Sequence, residues 1–161
     1  VGLLAALGAF RPVAAVASLT SFWQGVEYAA IAGVGALLAA GVSFAALPRL
    51  AGRAIHDPTK PRQFVRLTVT GAIGVLVSLG AAGVISGYSW IAGVNSNAYV
   101  NDGTGWGTGY GGVVEVCTLL AIISAAVAFL GHAAYASTIL GTLTQGPART
   151  QEVLVSVESE E

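Results

Sequence analysis

Charged residues divide this chain into long silent stretches. Residues 28–48, 67–101 and 116–148 contain no Asp, Glu, Lys or Arg. Each run reaches or exceeds the roughly 20 residues that an α-helix needs to cross the hydrocarbon core of a bilayer. The pattern predicts membrane helices over about 24–47, 64–92 and 111–142. The opening VGLLAALGAF reads as the tail of a further helix, so a processed or split polypeptide is expected. Residues 1–145 then form a membrane helical region. Residues 146–161, ending in Glu158, Glu160 and Glu161, form a solvated tail. The expected fold class is all-α: a polytopic membrane helical bundle of three full transmembrane helices plus a partial N-terminal helix.

Proline marks the predicted breaks. Pro48 is expected to stop the first full helix. The stretch HDPTKP, with Pro58 and Pro61, reads as a turn-rich linker in which neither ring continues a helix.

Composition agrees with the runs and adds direction. Seven Lys or Arg and eight Asp or Glu make up 9% of the 161 residues, against roughly 25% charged residues in a soluble domain. Five of the seven cations, Arg49, Arg53, Lys60, Arg62 and Arg66, fall between the first and second runs. The positive-inside bias assigns that connection, residues 48–66, and the C-terminus to the cytoplasm, or to the equivalent negative side of an organelle membrane, and a bacterial or archaeal plasma membrane is the expected location. The connection on the other side, VNSNAYVNDGTGWGTGYGG, has no Lys or Arg, and Trp23, Trp90, Tyr99, Trp106 and Tyr110 form an expected interfacial belt there.

A net charge of −1 leaves no basic stripe for nucleic acid. The single cysteine, Cys117, rules out a disulfide within the chain and reads as a small packing residue.

Few residues carry chemistry. Gly103, Gly105, Gly107, Gly109, Gly111 and Gly112 lie just ahead of a helix, but they lack the Gly-Lys-Ser/Thr ending of a nucleotide loop and read better as a docking loop. His132 is an ionisable group within a spanning run, which makes it a weak candidate for cofactor binding through its imidazole or for a helix–helix hydrogen bond. Glu27 and Glu115 are read as the starts of the first and third helices. There the helix dipole favours a carboxylate, and a proton or ion path is the rival role. No catalytic or metal-ligating residue is assigned. Ala29, Ala30, Ala32, Gly33, Gly35, Ala36, Ala39, Ala40 and Gly41, with the pair Gly83 and Gly87, predict close packing against other helices.

The run SLTSFWQGVEYAAIAGVGALLAAGVSFAALPRLAGR resembles the tenth helix of the main subunit in the haem-copper oxidase and nitric oxide reductase superfamily. Its exit is Pro48, Arg49, Leu50, Ala51, Gly52 and Arg53. FVRLTVTGAIGVLVSLGAAGVISGYSW is similar to that family's eleventh helix and GGVVEVCTLLAIISAAVAFLGHAAYAS to its twelfth. The family's haem-ligand histidines are replaced here by Val26 and Tyr28, flanking Glu27. The resemblance therefore implies a degenerate relative: a non-catalytic membrane subunit or split fragment of a respiratory electron-transfer complex, by itself not an enzyme. It would be a structural scaffold whose haem resides in neighbouring subunits, with Glu27 and Glu115 on a proton path. Its implied partners are other membrane subunits and lipid. Two further readings follow from the residues: a small ion channel or transporter component using Glu27, Glu115 and His132, and a packing-only accessory subunit of another membrane complex.

Overall fold

The computed structural model describes Ala14, residues 20–95 and residues 111–146, with side-chain surroundings for residues 20–89 and 112–146. The expected partial N-terminal helix, most of the glycine ladder, Tyr99, Trp106, Tyr110, the side chain of Trp90 and the C-terminal tail lie outside the described residues. Every regular element among the described residues is a helix, and three of them are long and apolar enough to span a membrane. We number them α1 (Ser21–Ala51), α2 (Lys60–Asn95) and α3 (Gly111–Gln145).

α1 and α2 start earlier than the predicted 24 and 64, α3 starts at the predicted 111, and all three end three or four residues later than predicted. At the head of α1 the Thr20 hydroxyl accepts from the Phe22 N–H at 3.4 Å, which satisfies one of the first-turn donors. At its foot Pro48 lies inside the helix, which runs on to Ala51. The proline removes one backbone bond but leaves the last turn in place. The stop falls instead at Gly52, whose φ of 61° is left-handed and favours a residue without a β-carbon. Pro61 likewise sits in the first turn of α2, where the missing N–H has no intrahelical partner to lose. Ahead of it the Asp57 carboxylate accepts from the Thr59 N–H at 2.9 Å and from the Thr59 hydroxyl at 2.7 Å. The Thr59 carbonyl then takes the Gln63 N–H at 3.1 Å.

The core is the α2–α3 pair. On α3, Ala121, Ser124, Ala128, Gly131, Tyr135, Thr138 and Thr142 follow one another at steps of three and four. Of these, Ala128 and Thr142 are 0% exposed. That 3.5-residue repeat keeps one seam facing a partner in a left-handed supercoil. The register is antiparallel: Phe64 faces Tyr135, Thr68 faces Gly131, Gly71 faces Ala128 and Gly74 faces Ser124. Backbones approach so closely that a β-carbon on Gly71 would stand 2.5 Å from the Ala128 nitrogen and 2.6 Å from the Ser124 oxygen. In lipid, where apolar burial gives helices no reason to associate, such contact lets dispersion hold them.

α1 joins this pair in two different ways. Its first segment, Ser21–Tyr28, lies on α2. There Phe22 packs over Gly83, Gly25 faces Leu79, and the Ser21 hydroxyl donates to the Leu79 carbonyl at 3.1 Å. Ala29–Gly35 is a π-helical segment, still in touch with α2 through Gly33 and Ala72. Beyond it, Ala36–Ala51 changes partner and makes its contacts mainly with α3. A π-helical insertion shifts the phase of the side chains that follow, a recognised cause of redirected helices. Of the apolar windows in α1, α2 and α3, 11%, 33% and 11% are buried, so α2 is the central element.

The foot of the bundle is tied across the chain. The Arg53 guanidinium donates to the Thr144 carbonyl at 3.1 Å and to the Gly146 carbonyl at 3.4 Å. The His56 N–H donates to the Thr142 hydroxyl at 3.4 Å. A cation at a helix C-terminus supplies donors to its last carbonyls and opposes the negative end of the dipole.

Two outcomes follow. Gly71→Ala should destabilise the protein by about 1–3 kcal/mol, because backbone atoms of α3 cannot yield to the added methyl. Gly41→Ala, at a position with nothing within 4 Å, should cost nothing. Thermal unfolding in detergent compares the two. Hydrogen bonds from the Thr59 side chain and backbone, aided by Lys60 and His56, hold the Asp57 carboxyl below the usual carboxylate range. Its stabilising effect is therefore full above the ordinary Asp pKa and lost as pH falls through the lowered one. Amide exchange at Thr59 and Gln63 should accelerate, relative to a pH-matched peptide reference, only in that acid window.

Candidate functional site

Where α1 leaves α2, four rings fill the space. Phe44 of α1 stands 5.4 Å from the Tyr135 ring and 6.2 Å from the Phe64 ring, edge-on to both. Phe64, only 1% exposed, is 5.4 Å from Tyr135 and 6.0 Å from His132. Edge-to-face pairs at such separations add to what burial alone contributes. The cluster is thus a wedge that lets all three helices share one contact after α1 has changed partner.

The wedge carries polar handles. The Tyr135 hydroxyl donates to Ser43 Oγ at 2.8 Å, and Ser43 donates onward to the Ala39 carbonyl at 2.8 Å. His132 Nδ1 lies 2.8 Å from the Ala128 carbonyl. A carbonyl only accepts, so Nδ1 carries the proton and the lone pair of the neutral ring is on Nε2. One turn away in the seam, Thr68 is 0% exposed and its hydroxyl has no hydrogen-bond partner among the described residues. Thr118, Thr138 and Thr144 each donate to the carbonyl four residues back, at 2.8–2.9 Å. Thr68 instead faces Gly131, where an added β-carbon would meet its oxygen at 2.6 Å. A buried hydroxyl left so costs about 1–3 kcal/mol.

The two glutamates lie elsewhere. Both are exposed and make no hydrogen bond or ion pair among the described residues. Neither stands in a first turn: α1 begins at Ser21 and α3 at Gly111, so the reading of Glu27 and Glu115 as helix starts is corrected. The dipole effect fades within that first turn and gives them little support. Glu115 and His132 lie about 25 Å apart along α3, from their positions and the helical rise. No hydrogen bond, ion pair or ring contact joins Glu27, Glu115 and His132.

Val26 is buried against Phe22, with Trp23 and Leu76 packed beside it, and Tyr28 is half-buried. Side chains of the chain itself thus surround Val26, and valine offers iron no donor. Among the described residues no three His, Cys, Asp or Glu gather as a metal site. Cys117 is a half-buried free thiol. Comparison with protein-family models, with curated proteins and with solved structures finds no match.

Phe44, Phe64, Tyr135, Ser43 and Thr68 are absent from the residues singled out in the sequence. The signal that could have found the α2 and α3 members is the three–four repeat, which keeps Thr68 and Tyr135 on facing seams. Tyr135→Phe and Ser43→Ala should each lower stability by about 1 kcal/mol, and the double variant by little more than either alone. Unfolding midpoints in detergent read this coupling, and full additivity would mean that the bond contributes nothing.

Proposed function

We propose that the chain is a non-catalytic integral-membrane subunit, or a split fragment, that serves as a helical scaffold within a larger respiratory electron-transfer assembly. The observation that carries a scaffold role is the contrast between a tight seam and broad apolar flanks. Gly71, Gly74 and Gly131 lock α2 to α3. Meanwhile Ile31, Leu38 and Val42 on α1, and Ile122, Phe129 and Leu130 on α3, are more than half exposed. Gly35, Ala39 and Gly41 are exposed between the large residues of α1, a surface on which another helix could approach closely. The respiratory class rests on the likeness of Pro48 to Arg53 and of the three helices to a haem-copper oxidase main subunit. In this reading the cations of residues 49–66 face the cytoplasm, and any haem belongs to neighbouring subunits.

A second reading, a small channel or transporter component, draws on the buried Thr68 hydroxyl, which has no hydrogen-bond partner among the described residues, and on the Tyr135–Ser43 pair. Polar groups inside a membrane bundle are what an ion route would use. It gains nothing from Glu27 and Glu115, which stand exposed at the other end.

Purification from native membranes should bring down haem-containing partner chains, and the reduced preparation should show haem bands in its visible spectrum. A colourless preparation whose ion flux changes with His132→Phe would move the assignment to the second reading.

A further inference from the structure

We propose that the foot of α2 binds an anionic phospholipid, its phosphate held between Arg62 and Arg66 and one acyl chain lying along Ile73 and Val77. Arg62 and Arg66 are exposed and one helical turn apart. Ile73 and Val77, 55% and 63% exposed, continue the same face. Successive positions 62, 66, 73 and 77 stay within a narrow sector at 100° per residue, turned away from the seam that holds Phe64, Thr68 and Gly71. From Arg66 to Val77 the helix advances about 16 Å, close to half of the roughly 30 Å hydrocarbon core. One lipid of a single leaflet thus matches the distance between the charged and apolar parts of this face.

Charge points to an anionic headgroup. Arg49, Arg62 and Arg66 have no hydrogen-bond or ion-pair partner among the described residues, and Lys60 acts on Asp57. Arg53 is already bound to the carbonyls of Thr144 and Gly146. The only acid in residues 48–66, Asp57, is occupied by Thr59. Like charges one turn apart repel, and cations near a helix N-terminus oppose its dipole. Both costs fall when a phosphate sits between the guanidiniums, which bind such oxygens in pairs.

The test is native mass spectrometry of the full chain in neutral detergent, with phosphatidylglycerol and phosphatidylcholine of identical acyl chains. The wild type should retain a single phosphatidylglycerol about thirtyfold more than phosphatidylcholine, the scale expected of two cations at a lipid surface. Arg62→Gln with Arg66→Gln should abolish the preference, while Arg49→Gln keeps it, circular dichroism verifying the fold. Inorganic phosphate alone should neither bind nor displace the lipid. Equal retention of both lipids by the wild type overturns the proposal, as does a preference surviving in the double variant or ready displacement by inorganic phosphate. If the double variant does not accumulate, the wild-type ratio of the two lipids decides.

Discussion

Everything in this bundle depends on how closely two backbones can approach. Water drives apolar surfaces together in soluble proteins, but acyl chains are as apolar as leucine and provide no such drive. Gly71 and Gly131 bring the axes of α2 and α3 near enough for dispersion to act over many atoms. Once that seam is fixed, α2 has one face left for α1 and one for lipid. The order of contacts along the chain follows from this division.

The seam also explains why α1 cannot lie alongside both helices throughout. Its upper part brings Gly25 and Gly33 against Leu79 and Ala72 of α2 and seats Phe22 over Gly83. Its lower part meets α3 through large residues, Phe44 against Tyr135. The π-helical turn at Ala29–Gly35 separates these regimes. The change of phase there redirects the face that α1 presents, from α2 above to α3 below. Val65, on the side of α2 that α1 has left, is accordingly 46% exposed.

The spanning segments were legible because charge is costly in hydrocarbon and therefore absent from them. Their ends were not, since Pro48 and Pro61 occupy helical positions that tolerate proline and the actual stop depends on the left-handed backbone of Gly52. The face that α3 presents was written in its three–four repeat, but alanine and glycine elsewhere in the chain hide such a pattern. Gly83 of the GxxxG pair proved to hold Phe22 of α1. The aromatic wedge was invisible because it joins residues that sequence keeps about 20 to 90 positions apart. His132 was noticed for its ionisable ring, yet that ring is placed by an ordinary carbonyl one turn back.

The bond from Arg53 to the end of α3 has a temporal side. Its partners lie 91 and 93 residues further along the chain. At synthesis rates of about 5–20 residues per second, the guanidinium leaves the ribosome on the order of ten seconds before those carbonyls exist. During that interval the connection between α1 and α2 is a solvated basic loop with no anchor in the bundle. Closure of the foot thus waits for the end of α3, and a chain interrupted before Thr144 would carry its first two helices without it.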